Sequence, residues 1–184
     1  MHGSDTPSDW VRRWSALIAP QSTVLDVACG VGRHLRWLHS LGHAVVGVDR
    51  SPEAVAAGAP LGEMVCADIE NGPWPFAGRQ FGAVVVTNYL WRPLFPTLLA
   101  SLAPGGVLVY ETFAHGNETV GRPARPEFLL QPGELLAACS GLRTVAYEDG
   151  FLEEPARFVQ RITAIRELAH AGAPSRHLLA GPAS

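Results

Sequence analysis

Residues 24–35, VLDVACGVGRHL, run from an apolar stretch into a glycine-rich turn and then into a segment with helical spacing. The apolar stretch predicts a buried strand, and the glycines predict a turn whose backbone can approach a bound molecule closely. A strand, a glycine turn and a helix in this order begin the nucleotide-binding unit of a doubly wound α/β fold. This stretch therefore predicts a cofactor site at its turn.

Strand and helix patterns alternate along the rest of the chain. Five apolar segments rich in valine, alanine and leucine alternate with helical patterns, and residues 143–154 and 156–168 indicate a closing pair of strands. Near-continuous apolar strands are buried on both faces, which requires helices on each side of a mostly parallel sheet. We predict a Rossmann-like, doubly wound seven-stranded sheet with an antiparallel C-terminal strand. Residues 93–106 are expected to form one of its helices, closed by glycines.

Length and charge limit the classes of protein that fit. The chain has 184 residues, the size of one domain, which we place at residues 22–168 after an N-terminal helix and lead-in (1–21) and before a flexible tail (169–184). The net charge of −3 gives no general attraction to nucleic acid or to an anionic membrane. All 14 basic residues are arginine, which excludes a Walker-type phosphate loop and Schiff-base catalysis.

Cysteine usage and hydropathy indicate a cytoplasmic protein. Cys29, Cys66 and Cys139 form no C-x-x-C pair, so neither a disulfide framework nor a metal site is expected. Residues 1–10 lack the apolar core of a signal peptide, and no apolar run approaches the roughly 18 residues of a membrane span. We expect a small-molecule substrate, no membrane or nucleic-acid partner, and a monomer or homodimer. The arginine-only composition, rich in alanine, glycine and proline, is typical of a bacterial genome rich in G and C.

Asp26 indicates which kind of cofactor the glycine turn holds. Gly30 and Gly32 fit the G-x-G-x-x-G pattern of dinucleotide sites, but Leu35 stands at the third glycine position. A carboxylate at Asp26 would repel a pyrophosphate and attract a cationic ligand, which favours S-adenosylmethionine over a dinucleotide. The alternative is that Asp26 is a buried acid that braces the turn.

Two further acids stand where an adenosine would lie. Asp49 ends the second strand, where a carboxylate can accept hydrogen bonds from a ribose diol. Asp68 ends the third strand, where it can accept from the adenine amino group while the backbone N–H of Ile69 donates to a ring nitrogen. The alternatives are a helix cap at Asp49 and a plain loop acid at Asp68.

Four segments together resemble the ordered motifs of class I S-adenosylmethionine-dependent methyltransferases. They are VLDVACGVGRH (24–34), VVGVDRSPEAV (45–55), CADIE (66–70) and LAPGGVLVYETF (102–113). The resemblance implies S-adenosyl-L-methionine as cofactor and S-adenosyl-L-homocysteine as product. The predicted cofactor-binding residues are Asp26, Ala28, Cys29, Gly30, Gly32, Asp49, Arg50, Asp68, Ile69 and Thr87. For the Cys29 side chain, a structural role in close packing is the alternative.

Segments 117–136, 145–154 and 157–167 resemble, more specifically, the tellurite-resistance type of small methyltransferase. This resemblance implies a soft nucleophile: an oxyanion, or a thiol-, selenol- or tellurol-like compound. The fourth strand is followed by Asn88-Tyr89-Leu90-Trp91. Because this segment lacks the prolines of the Asn/Asp-Pro-Pro-aromatic motif, methylation of nucleobase or glutamine nitrogen is not expected.

No catalytic residue is assigned from the sequence. The substrate-side candidates are Asn88, Tyr89, Trp91, Arg92, Glu111 and His115. Tyr89 and Trp91 would either wall an apolar pocket or belong to the core. Glu111 and His115 would accept a proton from an alcohol or amine, whereas a thiolate or selenolate needs no base. His115 is otherwise a solvated loop residue.

The remaining predictions concern the roles of several arginines and the alternative functions of the protein. Arg92, Arg122 and Arg125 would attract an anionic substrate or lie solvated at the surface. The alternative functions are a dehydrogenase, a non-catalytic S-adenosylmethionine-binding protein, and a protein or RNA methyltransferase. A shared basic face would support the last of these, formed by Arg12, Arg13, Arg33 and Arg36.

Overall fold

A computed structural model describes residues 6–168 and 175–179. Within them the chain forms one seven-stranded sheet in the order β3-β2-β1-β4-β5-β7-β6, together with five α-helices and several short 3-10 turns. The strands are β1 (Thr23–Val27), β2 (Ala44–Asp49), β3 (Glu63–Cys66), β4 (Phe81–Thr87), β5 (Leu102–Phe113), β6 (Arg143–Glu153) and β7 (Ala156–Ile165). The helices are α1 (Asp9–Trp14), α2 (Arg33–Ser40), α3 (Pro52–Gly58), α4 (Phe95–Ala100) and α5 (Glu134–Ala138).

The strand directions confirm the predicted fold class. Strands β1 to β5 pair in parallel, and β7 lies antiparallel between β5 and β6. The chain proceeds from β1 outward to β3 and then returns to place β4 on the other side of β1. The order of strands therefore reverses between β1 and β4, and ligands of open α/β sheets bind at the carboxyl ends of strands beside such a switch point.

Apolar cores cover both faces of the sheet. Trp10 of α1 and Leu35 of α2 pack on one face, whereas Leu98 of α4 and Leu135 of α5 pack on the other. Side chains alternate between the two faces along a strand. Asp26, in the middle of β1, consequently lies on the α1–α2 face while its neighbours in the strand bury their side chains opposite.

The predicted helix over residues 93–106 is shorter in the structure. The α4 helix has six residues, and β5 already begins at Leu102. The register between β4 and β5 shifts after their first pair, so residues 103–106 bulge out of the ladder. Pro104 carries no N–H for a helical hydrogen bond, and Gly105 adopts φ +79°, so both residues oppose continuation of the helix.

The chain ends were predicted to be a lead-in and a flexible tail. Residues 1–5 of the lead-in and residues 169–174 and 180–184 of the tail lie outside the described residues. Residues 175–179 form neither helix nor strand, and the domain limits at residues 22 and 168 stay a prediction. Among the helices of the described part, none is both long enough and apolar enough to cross a membrane.

Candidate functional site

A cavity of about 350 Å³ lies at the carboxyl ends of the parallel strands, beside the switch point. The turns after β1, β2, β3 and β4 supply most of its wall, and the long loop after β5 supplies the rest. The lining residues are Ala28, Asp49, Arg50, Ala67, Asp68, Ile69, Glu70, Tyr89, Arg125 and Phe128. We call it the first cavity.

A second cavity of about 280 Å³ adjoins the first. Glu70, Tyr89 and Phe128 line both cavities, so the two spaces share a wall. The other lining residues of the second cavity are Asn88, Leu90, Thr112, Phe113 and Pro123. This cavity therefore lies at the carboxyl ends of β4 and β5, where a second molecule would meet one held in the first.

The glycine turn between β1 and α2 leaves open space beside its backbone. Ala28, Gly30 and Gly32 all have positive φ, at 53°, 53° and 79°. A β-carbon added at Gly30 would meet no atom within 4 Å. An open backbone cradle of this kind fits a cofactor that packs against main chain rather than against side chains.

Asp49 ties the glycine turn to the start of α3. One carboxylate oxygen accepts the N–H of Gly30 at 2.8 Å, and the other accepts the N–H of Ser51 at 2.9 Å. Each oxygen has a further lone pair, so the carboxylate can still accept hydrogen bonds from a diol in the first cavity. The cap of α3 is Ser51, whose side-chain oxygen accepts the N–H of Ala54 at 3.2 Å, so Asp49 braces the turn and lines the predicted cofactor site without capping the helix.

Asp68 closes a tight turn after β3. Its carboxylate accepts the backbone N–H groups of Glu70 and Asn71, at 3.0 and 3.2 Å, and the side-chain amide of Asn71 at 3.0 Å. The hydrogen bond from the Asn71 side chain, helped by those two N–H groups, holds the pKa of Asp68 below its ordinary value. Asp68 also lines the first cavity beside Ile69 and Arg50, where an ionised carboxylate can accept an amino N–H.

Asp26 is a buried acid whose two carboxyl oxygens accept no hydrogen bond from the described residues. His34 Nδ1 is its nearest polar neighbour, 3.8 Å from Oδ2, and the same nitrogen lies 3.4 Å from Thr87 Oγ1. Burial raises the pKa of Asp26 to about 8, against the opposing charge of Arg33. A buried carboxyl group without a partner fits the ammonium group of a ligand. Neither Asp26 nor Thr87 lines either of the two cavities.

The Cys29 side chain belongs to the core. Its thiol packs with α1 and α2, and burial, followed by the charge of Asp26, raises the thiol pKa above its ordinary value. The backbone N–H of Cys29 donates to the carbonyl of Val48, which anchors the turn to β2. A buried, protonated thiol of this kind is inert, so the side chain has a packing role.

The substrate-side candidates separate into two groups. Asn88 and Tyr89 line the second cavity. Asn88 directly follows β4 and has a left-handed backbone, with φ +54°. The Tyr89 hydroxyl is buried and lies beside the Glu70 carboxylate, without a hydrogen bond of full geometry to it. Burial, followed by the charge of Glu70, raises the pKa of Tyr89, so the phenol keeps its proton at neutral pH. Trp91 packs at the edge of the core and lines neither cavity.

Arg92 clamps the loop that follows β5. Its Nε and Nη2 donate to the Glu134 carboxylate at 2.6 and 2.9 Å. Nη1 and Nη2 donate to the carbonyls of Glu127 and Leu129, both at 2.8 Å. The guanidinium is therefore committed to holding the segment that carries Phe128 over the two cavities.

Neither proton-acceptor candidate faces the cavities. Glu111 is buried on the α1–α2 face, where it accepts the Ser8 hydroxyl at 3.0 Å and Arg161 Nη1 at 3.2 Å. His115 lies on the surface, with Nδ1 3.3 Å from the Glu118 carboxylate. These contacts give Glu111 a buried structural role and place His115 away from the described lining residues.

Residues 24–106 match a family model described as a methyltransferase domain. No curated protein sequence matches the chain. Among solved structures the chain is similar to TehB from Haemophilus influenzae, at 20% identity and a TM-score of 0.67, over 83% of this chain and 60% of that one. It therefore spans less than two thirds of the TehB chain.

Other solved structures share the fold. A TehB-like SAM-dependent methyltransferase from Corynebacterium glutamicum is 19% identical, with a TM-score of 0.63 over 84% of this chain and 85% of that one. A SAM-dependent methyltransferase from Methanosarcina mazei is 15% identical, with a TM-score of 0.68 over 89% and 99%. The family match agrees with the predicted class I methyltransferase, and the likenesses confirm its Rossmann-like fold. The residues that hold the cofactor, and the acceptor, stay predictions.

Sequence reasoning missed several lining residues, and two of them line both cavities. Glu70 lines both cavities, and a signal was present because it directly follows the predicted pair Asp68-Ile69. Phe128 also lines both, and it is the single aromatic residue in the polar loop over 114–131. An isolated aromatic in such a loop indicates that the loop folds back onto an apolar surface.

Proposed function

We propose that this chain transfers a methyl group from S-adenosylmethionine to a small-molecule acceptor with a soft sulfur, selenium or tellurium nucleophile. The observation that carries the proposal is the pair of cavities with a shared wall. The first lies against strand-end acids suited to an adenosine, and the second, of about 280 Å³, has room for a small acceptor. Their junction at Tyr89 is where donor and acceptor would meet.

The cofactor would lie along the carboxyl ends of β1 to β3. Backbone at Ala28, Cys29, Gly30 and Gly32 would face its methionine and ribose part, where the turn leaves open space. Asp49, beside Arg50, would accept hydrogen bonds from the ribose hydroxyls. When bound, S-adenosylmethionine would supply a methyl group on a sulfonium sulfur that keeps the electron pair of the broken bond.

Three further residues complete this proposed cofactor site. Asp68 and Ile69 would meet the adenine edge at the end of β3. Asp26 would face the ammonium group, because its buried carboxyl otherwise accepts no hydrogen bond from the described residues. Thr87, which is also buried, would help to orient that end through His34.

The chain's contribution to the reaction would be alignment. Holding two reactants in contact makes their reaction effectively unimolecular, and this removes a large part of the activation barrier. A soft nucleophile already has some anion at neutral pH, so no general base is required. This agrees with the placement of Glu111 and His115, neither of which lines the second cavity.

The arginines predicted for an RNA- or protein-binding face have different neighbours. Arg12 lies over the ring of Trp37, and Arg33 donates to the carbonyl of Thr6. Arg33 is also close enough to the buried acid Asp26 for their charges to interact. The small acceptor is the better supported candidate because the second cavity adjoins the first, whereas none of these arginines lines either cavity.

Calorimetric titration with S-adenosylmethionine, S-adenosylhomocysteine and NAD tests the proposal. We expect micromolar binding of the first two and none of NAD. An acceptor screen with thiols, selenite and tellurite, read out as S-adenosylhomocysteine formed, then tests the acceptor class. Binding of NAD alone would overturn the cofactor assignment, and methylation of a protein or RNA in place of every small acceptor would overturn the substrate class.

A further inference from the structure

We infer that the acceptor enters the second cavity as a compact uncharged molecule with an apolar body, and that a free oxyanion is not the substrate. This inference rests on the proposed methyl transfer and narrows its substrate. It comes from the residues that line the second cavity and from the contacts that the neighbouring arginines already make.

The wall of the second cavity is mostly apolar and its one charged group is negative. Leu90, Phe113, Pro123 and Phe128 supply apolar surface, together with the ring of Tyr89. The polar lining residues are Asn88, Thr112 and Glu70, and no arginine or histidine is among the described residues of the wall. An anion leaving water needs cationic or multiple N–H partners to offset its lost hydration. The carboxylate of Glu70 would instead repel it.

The arginines near the cavity do not supply the missing positive charge. The Arg92 guanidinium donates hydrogen bonds to the Glu134 carboxylate and to two backbone carbonyls. Arg125 stacks on the ring of Phe128 at 4.8 Å, pairs with the Glu127 carboxylate at 3.4 Å, and has a side chain that is 71% exposed. It lines the first cavity and not the second, and its charge is shared with Glu127 and solvated.

Arg122 also lies outside the second cavity. It lines a neighbouring cavity of about 250 Å³ together with Pro123 and Phe128, which also line the second cavity. Positive charge at this position can attract an anion to the neighbouring space, but Arg122 is not among the described residues of the wall in which the acceptor would be aligned. The basic residues therefore line the neighbouring spaces, Arg50 and Arg125 in the first cavity and Arg122 in this one, whereas Glu70 is the charged residue in the described wall of the second cavity.

Tyr89 gives the wall a buried donor, whose hydroxyl lies beside the Glu70 carboxylate without a hydrogen bond of full geometry to it. A phenol that keeps its proton can donate to a lone pair of a neutral sulfur or oxygen atom. For a thiol acceptor, a sulfur–carbon bond forms as the carbon–sulfonium bond breaks. The electron pair of that bond stays on the donor sulfur, and the thiol proton passes to solvent. An alkyl thiol is largely uncharged at pH 7 and so fits both the apolar wall and the nearby carboxylate.

Two probes of nearly equal shape test the inference. 4-(Mercaptomethyl)benzamide is neutral and 4-(mercaptomethyl)benzoate carries one negative charge, and inorganic selenite and tellurite represent free oxyanions. Each would be titrated calorimetrically into the protein saturated with S-adenosylhomocysteine, and each would be assayed for turnover. We expect the neutral thiol to bind and react at least about tenfold better than the carboxylate probe, because a like charge is held near Glu70. Equal or better use of the anionic probe, selenite or tellurite overturns the inference.

A pair of variants assigns the discrimination to Glu70. Glu70→Gln should raise the ratio of kcat/KM for the carboxylate probe to kcat/KM for the neutral probe by about fivefold, as expected for one partly exposed charge. Glu153→Gln, the same change at an exposed position that lines none of the described cavities, should leave that ratio unchanged. A parallel change of both probes in Glu70→Gln would contradict the charge argument.

The outcomes also separate this inference from the proposed function. Absence of S-adenosylhomocysteine binding overturns the proposed function, yet titration of the two thiols into the protein alone still reports which charge the second cavity accepts. Binding of S-adenosylhomocysteine with a preference for the anionic probe overturns the inference and leaves the proposed function standing.

Discussion

The Nδ1 atom of His34 lies 3.8 Å from the buried carboxylate of Asp26, while its Nε2 accepts the backbone N–H of Ser8 at 3.2 Å. Because Nε2 accepts, the proton of the neutral ring is on Nδ1, the nitrogen that faces Asp26. Burial, followed by the charge of Arg33, lowers the pKa of His34 to about 3, so the ring is neutral at pH 7. Asp26 therefore has no imidazolium partner in the free protein.

This relationship gives Asp26 a role that a titration can detect. With a pKa of about 8, its carboxyl group is mostly protonated at pH 7. An ammonium group bound beside it would favour the ionised form and lower that pKa, so binding should release about one proton at pH 7. Affinity should accordingly rise as the pH approaches 8. Titrations of S-adenosylhomocysteine in two buffers of different ionisation enthalpy measure the proton count.

The Asp26→Asn variant is the control for this measurement. It keeps the size of the side chain and removes the ionisable group, so proton release should fall close to zero while His34, neutral in both proteins, contributes nothing. Any proton exchange by the ligand itself is common to the two titrations. Equal proton release by the wild type and the variant would show that Asp26 does not face the ligand's ammonium group.

Asp49→Ala should weaken S-adenosylmethionine binding by about tenfold or more, because hydrogen bonds to a charged group are lost. The change also removes the acceptor of the Gly30 and Ser51 N–H groups, which loosens the turn that would face the cofactor. Calorimetry on variants with native circular dichroism checks the affinity. Glu53→Ala, on the exposed side of α3, is the matched control and should bind within about twofold of wild type. Unchanged affinity in a folded Asp49→Ala protein would contradict the ribose assignment.

Arg92→Ala should destabilise the protein, because the guanidinium joins the end of β4 to α5 and to the loop that carries Phe128. Hydrogen bonds to an ionised partner, discounted for the partial exposure of this pair, suggest a loss of about 1–2 kcal/mol in the free energy of unfolding. Urea unfolding measures the loss. Arg125→Ala removes an exposed arginine of the same loop and should cost about 0.5 kcal/mol or less.

The two arginine variants also test whether Arg92 acts on the substrate. A folded Arg92→Ala protein should lose turnover for neutral and anionic acceptors alike, since the loop over both cavities is loosened. If turnover of anionic acceptors alone falls, Arg92 binds substrate after all, as the sequence suggested.

The fold could be predicted, and candidates for the cofactor side could be chosen, because their signals are local. The apolar run before Gly30 marks a strand, and the acids Asp49 and Asp68 stand at the ends of the next two. Parallel strands bring their carboxyl ends to one edge of the sheet. The start of β5 at Leu102 was missed because a bulge allows a strand to continue through Pro104 and two glycines, where local propensity predicts a stop.

The acceptor side depends on contacts between distant residues, which periodicity does not report. Phe128 reaches the cavities because Arg92, thirty-six positions earlier, hydrogen-bonds the segment on either side of it. Glu111 resembled a catalytic acid by its position at a strand end, but strand alternation directs it to the α1–α2 face, toward Arg161 and Ser8. The residue type of Glu111 and its position along β5 suggested a functional role, but the face of the sheet on which its side chain lies makes that role structural.

Tyr89→Phe should leave cofactor affinity unchanged and reduce acceptor turnover, with KM rising about fivefold through loss of one hydrogen bond to the acceptor. Stability should be unchanged or slightly higher, because the deleted hydroxyl is buried without a hydrogen bond of full geometry. Tyr110→Phe is the matched comparison: its hydroxyl donates to the carbonyl of Tyr89 at 2.8 Å, so its removal should cost about 1 kcal/mol. Thermal unfolding, calorimetry and steady-state kinetics on both variants separate the two roles. A fall in S-adenosylhomocysteine affinity in Tyr89→Phe would assign the hydroxyl to the cofactor instead of the acceptor.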